Sequence, residues 1–202
     1  MNELLIRSAR PEDLDFAFEM TVEAGHGLIE RFLGCGTKEY AYNVFKSLWT
    51  GSLNRFHYSH AKIAESGNEK CGFLVAYLVN GEKSNSLDII QIIKVGGTRL
   101  LWYYLSHIKE LHTAFSLPEG KTGEYYISSV AAVPGERGKG IGTLLLNEAL
   151  KTGKEMNANK ISLVVARYNE GAIKLYRNLG FNIDHSEDTK EYYRMVMKAG
   201  SI

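Results

Sequence analysis

The stretch from Val130 to Gly142 constrains this chain more than any other. An apolar segment, Val130-Ala131-Ala132-Val133, stops at Pro134. A loop with glycine at positions 135, 138, 140 and 142 then runs into Leu144, Leu145 and Leu146. A strand, a glycine-rich loop and an amphipathic helix in that order line up backbone amides at a helix start, where the macrodipole is positive. Such a loop belongs at the C-terminal end of a strand in an α/β sheet, and it makes a socket for a phosphate-bearing ligand.

The flanking pattern supports a sheet. Leu4–Ser8 predicts a first strand, and Arg10-Pro11-Glu12-Asp13-Leu14 a helix start with proline and acids in the first turn. Helical periodicity continues over Asp13–Ala24 and again from Thr37 to Trp49. Ala61–Glu65 and Cys71–Val79 predict a hairpin closed by Ser66-Gly67-Asn68-Glu69. Residues 80–123 interrupt the scheme with a polar loop, an apolar run Ile89–Val95, and apolar positions Leu101, Tyr104, Leu105, Ile108, Leu111 and Phe115 at helical spacing. Leu117-Pro118-Glu119-Gly120 closes that inserted helical element. Beyond it the alternation is regular: strand Tyr125–Val133, helix Ile141–Met156, strand Ile161–Ala166, helix Ala172–Leu179, then an antiparallel pair Phe181–Ser186 and Tyr192–Met197. The nearly all-apolar Ile161–Ala166 predicts a strand covered on both faces.

At 202 residues the length fits one domain, residues 1–202, carrying the 80–123 insertion. A formal charge of +1 gives no global field for nucleic acid or an anionic membrane. No segment has the roughly 20 apolar residues of a membrane span, and the start of the chain carries no signal-like run, so the expectation is a cytoplasmic protein. Cys35 and Cys71 lack metal-ligand spacing and read as free thiols. The six histidines form no ligand cluster, and no metal is expected.

Three phosphate loops compete for Val130–Gly142. A Walker loop needs a lysine followed by Ser or Thr, whereas Lys139 lies between two glycines. A dinucleotide loop needs a third glycine one place later, and an acid at the end of the next strand; Ile161–Ala166 ends without one. The third is a resemblance. Arg137-x-x-Gly140-x-Gly142 is similar to the (Q/R)-x-x-G-x-(G/A) signature of the GCN5-related N-acetyltransferases (GNAT). A second segment, from Asn169 through Ala172, Leu175 and Tyr176 to Gly180-Phe181, resembles that family's N-x-x-A-x-x-L-Y-x-x-x-G-F pattern. The likeness covers most of the chain outside residues 80–123.

The resemblance implies a GNAT fold: a mixed, mostly antiparallel central sheet flanked by helices. It also implies acetyl-CoA as cosubstrate and a primary amine of a small molecule or peptide as acceptor, joined by direct attack in a ternary complex. Arg137, Gly138, Lys139, Gly140, Ile141 and Gly142 would face the coenzyme pyrophosphate, and the backbone of Val130, Ala131 and Ala132 the pantetheine arm. Asn169 would hydrogen-bond the arm, besides its ordinary use as an N-cap. Tyr176 would be the general acid, besides its ordinary place in an apolar stripe. The glutamate that the branch acetylating ribosomal protein N-termini carries five residues before the motif asparagine is replaced here by Val164. Glu124 is the substitute candidate for the base, with water relays through Tyr125, Tyr126 or His26 as others. Trp102, Tyr103 and Tyr104 are candidate lining for an aromatic acceptor pocket, and the insertion is a candidate cap or homodimer face. The alternative to an enzyme is a non-catalytic acyl-CoA-binding sensor of the same fold.

Overall fold

The computed structural model describes residues 4–25, 28–51, 54–80, 84–108, 120–187 and 189–201. In chain order the elements are β1 (Leu4–Ser8), α1 (Leu14–Gly25), α2 (Leu28–Leu33), α3 (Lys38–Trp49), β2 (Ala61–Ser66) and β3 (Glu69–Leu78). They continue with α4 (Ser84–Ser106), β4 (Glu124–Ala132), α5 (Ile141–Glu155), β5 (Lys160–Ala166), α6 (Glu170–Asn178), β6 (Asn182–Ile183) and β7 (Tyr192–Lys198). The seven strands form one sheet in the order β1-β2-β3-β4-β5-β7-β6. All neighbours are antiparallel except β4 and β5, which run parallel. The expected mixed, mostly antiparallel sheet with flanking helices is what the chain forms.

Two apolar layers cover the sheet. On one face Phe18, Phe45, Trp49 and Leu33 from α1–α3 pack on Ile63, Phe73, Tyr77 and Tyr126. On the other Ile141, Leu145, Ala149 and Tyr176 from α5 and α6 pack on Leu74, Ile127, Leu163 and Met195. The two-sided burial expected for Ile161–Ala166 holds: Ile161, Leu163 and Val165 belong to the α5–α6 layer, and Val164 packs on the other.

β4 changes phase partway along. Val75 pairs with Ser129 but Ala76 with Ile127, so Ser128 is an unpaired extra residue. Before it Tyr125 and Ile127 face α5; after it Val130 and Ala132 do.

Two elements depart from the sequence reading. α2 occupies ground read as connection between two helices. The apolar run Ile89–Val95 is the first half of α4, which breaks at Gly97 (φ 62°) and resumes through Ser106. Leu111, Phe115 and the stop at Leu117–Gly120 lie largely outside the described residues. Among the described residues no helix is long and apolar enough to cross a membrane.

Candidate active site

The sheet opens where the sequence places the glycine loop. β4 and β5 pair from Glu124↔Lys160 to Ile127↔Leu163 and no further. Beyond that point β4 continues along β3 to Ala132, and β5 continues along β7 to Ala166. The two parallel strands therefore diverge, and a cleft lies between Ser128–Ala132 on one side and Val164–Ala166 on the other. Val130, Ala131 and Ala132 are half-buried along this edge.

The loop closes the cleft's end. Pro134–Glu136 is a single 3-10 turn, after which Gly138 (φ +80°) and Gly140 (φ +84°) adopt left-handed backbone and Gly140 caps α5. A Cβ on either glycine would meet no protein atom within 4 Å, so it is the backbone conformation, with open space beside it, that requires glycine. Gly142 is different, since its Cβ would make an ordinary 3.5 Å contact with Leu175. Among the described residues the amides of 138–143 make no backbone hydrogen bond. They form a row of free donors at the positive end of a 15-residue helix, which suits a diphosphate. Lys139 pairs with Glu136 at 2.8 Å, and Arg137 pairs with Glu23 in the last turn of α1. Gly72 of β3 lets this helix start lie close, because a Cβ there would stand 2.5 Å from Ile141 Cγ2.

α6 reaches the same place. Asn169 Oδ1 accepts the Ala172 amide at 3.1 Å, so the capping role is filled. Leu175 lies beside the start of α5 through its approach to Gly142. Tyr176 is 7% exposed, in one apolar layer with Ile141 and Val165 and with Val130 and Ala132 at its margin. Its ring meets Phe181 edge-on at 6.0 Å. No hydrogen bond among the described residues holds its hydroxyl, and burial pushes its pKa up to about 12.

Glu124 is not brought to this cleft. It starts β4, at the end still paired to β5, and it is 4% exposed. Burial alone would raise its pKa, but the Lys121 amide, donating at 3.0 Å, and the Arg194 guanidinium outweigh that and hold it below the usual carboxylate range. Arg194, 1% exposed, donates from its other terminal nitrogen to Asp184 at 2.6 Å. Sequence reasoning offered Glu124 as the candidate base and missed this triad, in which Arg194 lies 70 residues from Glu124 and 10 from Asp184 along the chain. Tyr125 and Tyr126 are buried on opposite faces near the same end, and His26 lies outside the described residues.

The remaining candidates separate. Tyr104 is buried and donates to the Phe32 carbonyl, Tyr103 stacks on His107 at 4.3 Å, and Trp102 is 70% exposed, so the three do not converge on one pocket. Cys35 and Cys71 are free thiols. Cys71 comes near the base of the loop, where its carbonyl accepts the Val133 amide. Its own thiol is buried, donates to the Ala64 carbonyl at 3.3 Å, and is held protonated by that burial. Among the described residues no group of three or more His, Cys, Asp or Glu can hold a metal ion.

The fold, the opened parallel pair and the glycine loop together define a cleft with a phosphate-binding loop at its end, and comparison with known proteins gives the family. A profile of the Acetyltransferase (GNAT) family matches residues 28–181, and the chain belongs to that family. An uncharacterised N-acetyltransferase from Methanocaldococcus jannaschii is 38% identical over 72 residues, 36% of this chain and 31% of that protein, so the aligned part spans under a third of that relative. An N-alpha-acetyltransferase from Sulfurisphaera tokodaii is 31% identical over 124 residues, 46% of this chain and 74% of that one. An N-acetyltransferase structure from Staphylococcus aureus Mu50 aligns at TM-score 0.66 and 22% identity over 96% of this chain and all of its own. PaiA N-acetyltransferase from Thermoplasma acidophilum, solved in complex with coenzyme A, aligns at TM-score 0.57 and 17% identity over 97% of this chain and 99% of its own. At these identities the structures share the fold.

Proposed function

We propose that this chain is one catalytic domain that transfers acetyl from acetyl-CoA to a primary amine of a small molecule or peptide, by direct attack in a ternary complex. The observation that carries the reading is the parting of β4 from β5 beside a row of unpaired loop amides. The 137–142 loop seats the pyrophosphate, the β4 edge at Val130–Ala132 pairs with the pantetheine arm, and Asn169 lies beside it. A β4 amide donates to the carbonyl oxygen as it gains charge. The amine nitrogen bonds to the carbonyl carbon, the C–S bond breaks, and the sulfur leaves with the electron pair; the proton shed by the amine nitrogen passes through water to that sulfur, leaving the amide and the free coenzyme thiol.

Tyr176 serves as the acid. At about 12 its pKa keeps it protonated across the neutral range. A thiol ionises near ~8.5, so Tyr176 acts chiefly through a hydrogen bond that strengthens as charge builds on sulfur. Cys71 carries no acyl group in this scheme, being buried and protonated. Glu124 is given a structural role as Arg194's partner. Because that candidate base is tied up and Val164 is apolar, an acyl-CoA sensor without turnover is the second reading.

Thiol release from acetyl-CoA across a panel of small amines and peptide N-termini tests the proposal. Turnover on at least one amine is expected. Tight coenzyme binding with no thiol released on any of them favours the sensor.

A further inference from the structure

We infer that Arg137 is a latch opened by the donor: in the empty protein it holds the end of α1 through Glu23, and a bound diphosphate draws it away. The latch rests on the proposed assignment of the 137–142 loop to the coenzyme diphosphate. Loop and helix are joined by an ion pair, in which Arg137 Nη2 donates to Glu23 Oε1 across 114 residues of chain. Lys139, the neighbouring loop cation, stays within the loop on Glu136. Glu23 lies in the last turn of α1, and that turn holds no basic residue of its own. A carboxylate there faces the negative end of the helix macrodipole and is unfavourable. Arg137 supplies from outside the cation that this turn lacks. Packing gives out at the same point, since Thr21 is the last buried residue of α1 and Val22 to Gly25 are half-buried.

The competition favours the ligand. Arg137 meets Glu23 through one terminal nitrogen, and among the described residues no other hydrogen bond holds its guanidinium. It directly precedes the unpaired amides of 138–143, so a diphosphate seated on them comes within the length of its side chain. Guanidinium–phosphate pairs are charge-assisted and bidentate, whereas an exposed carboxylate pair is worth at most about a fivefold preference. With side chains 57% and 39% exposed, Arg137 and Glu23 form a pair of that weak kind. The pair also sets the Glu23 carboxylate beside the incoming phosphates, and like charges gathered on one cation repel. Donor binding thus exchanges a carboxylate for a diphosphate, and the last turn of α1 loses its cation. α1 belongs to the layer against which Ala131 packs, so the release is felt on the cleft wall opposite α5.

Calorimetric titration with coenzyme A, paired with amide hydrogen exchange at residues 22–25, tests this, and neither needs acyl transfer. In wild type, saturating coenzyme A should speed exchange in the last turn of α1 about two- to fivefold, whereas a ligand that only rigidifies slows it. In Glu23→Gln that acceleration should vanish. The same variant should bind coenzyme A about fivefold tighter at about 0.02 M salt, the gain shrinking below about twofold at about 0.5 M. Glu19→Gln, one turn earlier on α1 and paired with Lys38 instead, should bind coenzyme A as wild type does. Three outcomes overturn the latch and leave the donor site in place: exchange at 22–25 that slows or stays constant on binding, acceleration that persists in Glu23→Gln, or a Glu23→Gln affinity no higher than that of wild type or Glu19→Gln. A folded wild-type protein that binds no coenzyme A overturns the donor assignment and the latch with it.

Discussion

The two ends of β4 are built from opposite materials. At its start the strand is paired on both sides, and a buried carboxylate is clamped by a guanidinium from β7 and an amide from the preceding turn. At its finish the strand has lost one neighbour, carries half-buried small residues, and hands on to a loop whose 138–143 amides have, among the described residues, no backbone partners. One end spends its polar groups on holding the sheet together, and the other keeps its polar groups available. Substitutions at the start should therefore cost stability and spare ligand binding, while those at the finish should do the reverse.

The largest effect is expected at the start. Arg194→Met strands the Glu124 carboxylate in the core and should lower unfolding free energy by about 3–5 kcal/mol, as for other broken buried pairs. Coenzyme affinity of the folded fraction should stay near wild type; a matching loss of affinity would erase the contrast between the two ends. The same variant has a pH signature. Glu124 is held below its unfolded pKa, so its contribution is present above about pH 4.3 and is lost as pH falls through the lower folded value. Denaturation curves of wild type and Arg194→Met should thus converge as the medium is acidified below about pH 4.

Next comes Tyr176→Phe, which should lower kcat about a hundredfold with coenzyme affinity nearly unchanged. Equal losses in both would make the phenol a packing residue. Gly140→Val follows. It forces a β-branched residue into left-handed backbone at about 1–2 kcal/mol, which should weaken coenzyme binding roughly tenfold by calorimetry. Normal binding by a folded Gly140→Val protein would remove the loop from the donor site. The smallest effect belongs to Asn169→Ala, which loses an N-cap worth about 1 kcal/mol in thermal unfolding. A larger fall in coenzyme affinity than in stability would show a second role for its side chain.

Much of this architecture was legible along the chain because each part depends on local periodicity. The C-terminal third alternates between a two-residue and a 3.6-residue pattern, and the loop's glycines sit where a left-handed turn must precede a helix. α2 escaped because six residues hold too little of a period to stand out. The Ile89–Val95 run escaped because five apolar residues broken only by Gln91 and Lys94 fill too few turns to separate a helical period from a buried strand. At the site, the loop, Asn169 and Tyr176 were legible from spacing and family resemblance. The setting of Glu124, proposed as the base, was not legible for a different reason. Its partner arrives from β7, and no local pattern signals that an acid will be neutralised from a strand so far along the chain.

The unpaired Ser128 has a mechanical consequence. It works as a phase shifter: odd-numbered side chains look toward α5 before it, and even-numbered ones after it. Deleting Ser128 would leave the faces as they are, because Ile127 would be followed by Ser129 on the α1 side and Val130 on the α5 side. What it would remove is the bend and added twist of the bulge, at the point where β4 parts from β5. The splay of the cleft is thus tied to a serine that lies outside both sequence motifs.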